Sequence, residues 1–118
     1  MNIIDANRKH IEDALEYSGG THDFDDVRAG ILSGKMQLWP GKRSAVVTEI
    51  VDYAKKRSLH VFLAGGDLEE LLGGMDDAIA WGRSQGCVAM TLSGRRGWEK
   101  VLSGHGFHAM RIVMERSL

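Results

Sequence analysis

The chain has 118 residues and 13.0 kDa, with 43% hydrophobic and 26% charged residues and a formal net charge of −1. That balance excludes a disordered or membrane-spanning chain and gives no electrostatic reason to expect nucleic acid. Glycine is abundant, 15 against one proline, but follows no period of three and alternates with apolar runs, which removes collagen-like and linker classes.

The elements follow in chain order. From Asp5 to about Tyr17, Ile11, Ala14 and Leu15 recur at helical spacing and Gly19-Gly20 supplies a stop. Thr21 or Asp23 caps a second helix with Phe24, Val27 and Ile31 on one face and Gly34 after its end. Met36 to Trp39, a Pro40-Gly41 turn and the β-branched run Ser44 to Asp52 read as strands. A basic turn, Tyr53 to Ser58, returns the chain into Leu59-His60-Val61-Phe62-Leu63, apolar on both faces as a central strand would be. Turns this short join antiparallel strands.

Gly65-Gly66 then leads into the clearest helix, capped by Asp67 with Glu70 three residues on, its stripe running through Leu68, Leu71, Leu72, Met75, Ala78 and Ile79 to a stop at Gly86. Cys87 to Leu92 is a second buried strand, and a long helix between two apolar strands predicts a parallel pair. A loop, Ser93 to Gly97, precedes a short helix with Trp98, Val101 and Leu102 inward. Gly104-His105-Gly106 turns the chain into a last strand, Phe107 to Met114. No internal repeat or linker divides the chain, so one domain spans 1–118. Gly73-Gly74 interrupts the long helix at a cost of about 1 kcal/mol each relative to alanine, which points to close approach of another backbone, a neighbouring strand or a second subunit.

A single cysteine, Cys87, rules out an internal disulfide and a cysteine-based zinc site, and His105 and His108 have no Cys or carboxylate neighbour in sequence, so no metal is expected. The first ten residues lack the layout of a signal peptide, and no apolar run approaches the ~18 residues of a membrane span. A reducing, cytoplasmic setting fits. Charge alternates along the chain: residues 1–34 carry seven acidic and three basic groups, 35–60 two and six, 61–92 five and one, 93–118 two and five. Either these segments pack side by side and partly neutralise one another, or they are four separately solvated faces.

The order of two helices, three antiparallel strands, a long helix, a strand, a short helix and a strand resembles the GNAT N-acetyltransferase superfamily over nearly the whole chain. The closest local match is Ala80-Trp81-Gly82-Arg83-Ser84-Gln85-Gly86 running into Cys87-Val88-Ala89-Met90-Thr91-Leu92, followed by Gly106-Phe107. The resemblance implies an α/β (α+β) domain: a mixed central sheet, two N-terminal helices, one long central helix and one short C-terminal helix. It also implies acetyl-CoA as cofactor, its pyrophosphate held on backbone N–H groups where the long helix begins.

In this sequence that stretch is Ala64-Gly65-Gly66-Asp67-Leu68-Glu69-Glu70. It lacks the family's Gln/Arg, is several residues short, and places three carboxylates where phosphates would sit. Like charges at ~4 Å repel by about 1 kcal/mol in water and about 4 near a protein surface, whereas an acidic first turn gains only ~0.3–1 kcal/mol per group. Gly65 and Gly66 are the candidate cofactor contacts there, with Arg95 and Arg96 of the Gly/Arg loop as further anion ligands. The family's general-acid tyrosine falls on Leu102, which has no proton to give. Tyr17 and Tyr53 lie in other elements. Glu49, Asp52 and His60 are candidate bases on the central strands, Glu49 foremost because it interrupts a β-branched run. Lys42, Arg43 and Lys55-Lys56-Arg57 read as charged hairpin tips.

Two functions follow. In one, a GNAT-like domain with lost or altered acetyl-CoA binding serves as an interaction or assembly protein, with a protein partner or self-association; its small size resembles chains of tailed phages and prophages. In the other, it is an acetyl-CoA-dependent N-acetyltransferase acting on a small amine or a protein amine, with Glu49 as base.

Overall fold

The computed structural model describes residues 2–94 and 96–118. The first expected helix is two: α1 (Ile3–Ala6) and α2 (Arg8–Leu15). The break falls at Asn7, which is buried and whose side-chain NH₂ donates to the Ile3 carbonyl, drawing the backbone out of helical geometry. Helix α3 (Phe24–Leu32) starts as the sequence indicates. The Asp23 carboxylate accepts from the Asp26 N–H, and the Asp26 carboxylate in turn accepts from the Asp23 N–H. Arg28 of α3 is ion-paired with Asp5 of α1, and Arg8 stacks over Phe24, so charge and ring contacts tie the three helices together.

Strands β1 (Met36–Pro40), β2 (Ser44–Asp52), β3 (Arg57–Gly66) and β4 (Ala89–Leu92) form one sheet in that order. The first three are antiparallel and β3–β4 is parallel, as the spacing of the elements requires. The β2–β3 register shifts after Val47: Val47 opposes Leu63 and Thr48 opposes Val61, leaving Phe62 as an extra residue on β3, a β-bulge. On one sheet face Val47 and Leu63 join Ile4, Ile11, Phe24 and Val27 in a core covered by α1–α3. On the other, Leu59, Ala78 and Cys87 form a smaller core with Trp39, Ile50, Trp81 and Met90 around it.

Between β3 and β4 the expected long helix is present as α4 (Leu68–Gly73) and α5 (Met75–Ser84), separated at Gly74. The close approach expected at the two glycines is not made within the chain. A Cβ on Gly73 would meet nothing within 4 Å, and one on Gly74 only the α4 carbonyls, at 3.7 Å or more. Their backbones are not left-handed, so the pair loosens the helix without serving a contact.

Gly65-Gly66 also differs from expectation: it is the end of β3, paired with Ala45 and Ser44, and not a strand-to-helix loop. β4 starts two residues later than expected. Helix α6 (Arg96–Leu102) buries Leu102 and half-buries Trp98 and Val101, and runs into a 3₁₀ turn, Ser103–His105.

The last expected strand, Phe107–Met114, does not form. After the left-handed Gly106 the chain carries no regular structure to its end. Two features account for this. β4 offers a ladder of only four residues, and Phe107, Ala109 and Val113 fall on one face of an extended segment with Met110, Ile112 and Met114 on the other. Such a strand needs cover on both sides. Instead the segment crosses the outer flank of β4: Phe107 lies by Ala89 and Met90, while Arg111 is within electrostatic reach of His60, on the sheet's other face. Among the described residues no helix is long and apolar enough to cross a membrane.

Candidate functional site

A cleft of about 320 Å³ opens on the α5 face of the sheet. Its floor is Val46 and Thr48 of β2 and residues 61–64 of β3. Leu71, Leu72, Met75, Asp77 and Ala78 of α4 and α5 form one wall. Leu92, Ser93, Gly94, Trp98 and Leu102 form the other, and Tyr17 and Ser18 stand at the rim. Four of the six residues of the apolar stripe on α4 and α5 thus line an open space, and of these Ala78 also belongs to the smaller core. The cleft exists because the β3–β4 ladder ends at the Val61–Leu92 pair while β3 continues to Gly66, so the strand's second half is open on that side. Its polar floor is fixed: the Trp39 indole N–H donates to Thr48 Oγ1 at 2.9 Å, and the Thr48 hydroxyl donates to Gln37 Oε1 at 2.8 Å. Trp39 also meets Trp81 edge-on, 5.7 Å between centroids.

At one end of this cleft α4 begins, and there the protein's own groups occupy the helix start. The Asp67 carboxylate accepts from the Glu70 N–H at 3.0 Å, and the Asp67 N–H donates to the Arg43 carbonyl. The Glu70 carboxylate accepts from the Arg43 N–H at 3.0 Å and from the Ser44 hydroxyl at 2.5 Å. The Ser44 hydroxyl and the Arg43 N–H together hold the Glu70 carboxyl below its ordinary range against the opposing effect of burial. The Arg43 guanidinium lies 3.5 Å from Asp67 and 3.7 Å from Glu70. The Asp67 and Glu70 carboxylates therefore share the Arg43 guanidinium, and the N–H groups of the cap Asp67 and of Glu70 at the start of the six-residue α4 are engaged. These groups do not suit a diphosphate.

The glycines of this stretch serve the fold. A Cβ on Gly65 would run into the His10 carbonyl oxygen of α2, and one on Gly66 (φ +109°) into Arg43 and Ser44 of β2. Neither lines the cleft. Arg96 is exposed at the first turn of α6, and Arg95 lies outside the described residues.

Glu49 is opposite His60 in the β2–β3 ladder. By strand alternation it shares the face of Val47, away from the cleft lined by Val46 and Thr48. His60 itself is half-buried, its Nδ1 2.9 Å from Thr91 Oγ1; burial pushes its pKa down, Glu49 opposes that and Arg111 adds to it. Asp52 is paired with Arg57 at 2.6 Å. The three candidate bases are thus distributed along β2 and β3 and do not converge on the cleft. Tyr17 and Asp77 do line it, and no sequence signal pointed to them. Tyr17 follows the end of α2 and Asp77 is one of several helix-surface acids, so only tertiary packing brings them together. Among the described residues no group of His, Cys, Asp or Glu could hold a metal ion.

No family model matches the chain, and no curated protein does. Solved structures match over nearly its whole length. An acetyltransferase of Trypanosoma brucei is 13% identical, with 94% of each chain covered and a TM-score of 0.60. Glucosamine-6-phosphate N-acetyltransferase of Arabidopsis thaliana is 15% identical, covering 98% of this chain and 94% of that one, with a TM-score of 0.64. A GNAT family acetyltransferase of Staphylococcus aureus is 13% identical over 98% and 89%, with a TM-score of 0.59. At such identities the likeness is one of fold, and the chain has the GNAT fold.

Proposed function

We propose that this chain is a GNAT-fold domain whose acetyl-CoA binding is lost or altered and which acts as an interaction or assembly protein, of the kind its small size resembles in phages and prophages. The observation that carries this reading is the filled start of α4. Asp67, Glu70, Arg43 and Ser44 satisfy one another where a pyrophosphate would need free amides and positive charge. The exposed apolar residues of the C-terminal segment agree with a protein contact, since a monomer gains nothing from leaving them in water.

A second reading, an acetyl-CoA-dependent N-acetyltransferase for a small or protein amine, has one observation in its favour: the apolar cleft beside the open half of β3. Glu49, on the opposite face, would not reach an amine held there, and Tyr17, Glu70 and Asp77 are among the side chains that line the cleft. Calorimetric titration of the full chain with acetyl-CoA separates the two. No heat at millimolar ligand is the expected result; a micromolar dissociation constant refutes the first reading and revives the second.

A further inference from the structure

Among the described residues that line the cleft beside α4 and α5 there is no lysine, arginine or histidine; the charged side chains are Glu70 and Asp77, both acidic. The two differ in what holds them. Glu70 is engaged by the Ser44 hydroxyl and the Arg43 N–H. The Asp77 carboxylate, in the first turn of α5, has no hydrogen bond or ion pair among the described residues. The walls around it are rich in rings, contributed by Tyr17, Trp39, Phe62, Trp98 and Phe107. Two of these rings are set by the fold. Trp39 is fixed through its N–H on Thr48 and its edge contact with Trp81. Trp98 packs so closely on the loop after β4 that a Cβ on Gly94 would come within 3.0 Å of its indole.

We propose that this cleft binds a small organic cation: an ammonium whose nitrogen carries carbon groups in place of hydrogens, with an apolar body the size of one aromatic ring. The cationic head lies beside Asp77 and the body against the indoles. This rests on the loss or alteration of acetyl-CoA binding and not on the assembly role.

The lining selects that class on four counts. An anion would enter against two carboxylates with no cation on the walls to meet it. A neutral apolar molecule would cover Asp77 and leave its charge desolvated without a partner. A primary ammonium brings three N–H donors that each need an acceptor, and the Thr48 oxygen on the floor already accepts from Trp39; methyl groups on nitrogen need none, and ring faces attract the positive charge they carry. The volume, about 320 Å³, stands at the lower end of the ~300–1,000 Å³ of small-molecule sites, which suits one ring and a trimethylated nitrogen.

The test titrates the full chain with benzyltrimethylammonium, read by tryptophan fluorescence and calorimetry, with benzylammonium, benzyl alcohol and phenylacetate as comparisons. The expected result is saturable binding of benzyltrimethylammonium below millimolar concentration, weaker binding of benzylammonium and benzyl alcohol, and none of phenylacetate. Asp77→Asn should raise the dissociation constant about fivefold or more, as the loss of one charge contact in water does. Asp76→Asn removes the same charge one residue away, outside the lining, and at physiological salt should change it by about twofold at most. Trp98→Leu should weaken the cation more than benzyl alcohol, since only the cation loses an attraction to the ring face. Absence of a saturable signal, tighter binding of phenylacetate or benzylammonium, or equal losses in Asp77→Asn and Asp76→Asn overturns the proposal. None of these outcomes touches the coenzyme reading, which micromolar acetyl-CoA binding alone would overturn.

Discussion

The glycines at 65, 73 and 74 lead to opposite predictions for one substitution. At Gly73 and Gly74 an added methyl has room, the backbone is not left-handed, and no second backbone stands near. Replacing both with alanine should therefore recover helix propensity, about 1 kcal/mol at each site at most, and somewhat less if the gain comes only through the unfolded chain, ~0.4–1 kcal/mol. With a melting shift of roughly 3–6 °C per kcal/mol for a domain of this size, Gly73→Ala plus Gly74→Ala should raise Tm by about 2–12 °C. At Gly65 the same methyl meets the His10 carbonyl oxygen, which belongs to the backbone of α2 and cannot rotate away. Gly65→Ala should force α2 off β3 and cost about 1–3 kcal/mol, as overpacked sites do. Differential scanning calorimetry of the three proteins, with sedimentation velocity alongside, reads both effects. A lower Tm or an altered sedimentation coefficient for the double alanine variant would refute the reasoning, because something outside this chain would then be packed against those glycines. An unchanged Tm for Gly65→Ala would show that the α2–β3 contact yields easily.

Two further outcomes concern pH. Because burial lowers the His60 pKa in the fold, the unfolded chain binds a proton more readily there. Its contribution to stability is therefore complete above the unfolded value near 6.5 and declines as pH falls below it; urea midpoints between pH 7 and 5 should fall less steeply for His60→Gln than for the wild type, and parallel slopes would refute the assignment. Glu70 has the same protonation bias from a different cause: its carboxylate form is favoured by Ser44 and Arg43, so its contribution is present above the ordinary glutamate pKa and lost as pH falls through the lowered folded value. Wild type and Glu70→Gln should differ in urea midpoint at pH 7 by a gap that narrows as the medium is acidified, and a constant gap would show that the carboxylate charge does not matter.

What was legible in the sequence was whatever depended on neighbours in the chain. Ser44–Asp52 is a strand because its β-branched residues leave little alternative, and Asp23 and Asp67 cap helices because their carboxylates reach amides three residues on. Asn7 looked like an ordinary helix residue; its side chain competes for a carbonyl that only the folded α1–α2 corner presents. Gly65 and Gly66 carry a real signal of close approach, but the sequence does not say what approaches, and a ligand and the protein's own α2 and β2 ask for the same residue. Arg43 read as a hairpin tip, yet it answers the two carboxylates at the start of α4 across 24 and 27 residues of chain. Tyr17 and Asp77 reach the cleft only through packing, and Phe107–Met114 has the composition of a strand without a place in its own sheet.

The extra residue at Phe62 has a consequence for how the domain melts. Leu59 and Leu63 are four apart, and in a regular strand both would face the same side. The bulge reverses the parity between them, so Leu59 enters the core under α5 and Leu63 the core under α1–α3. One strand is thereby a shared wall of two apolar compartments that otherwise have no buried residue in common. Neither compartment can empty without releasing β3, and the smaller one, with three buried apolar side chains, borrows its persistence from the larger. Thermal unfolding should accordingly be a single event, and deleting Phe62, which leaves Leu59 and Leu63 three apart in a regular strand, would keep each leucine in its own core.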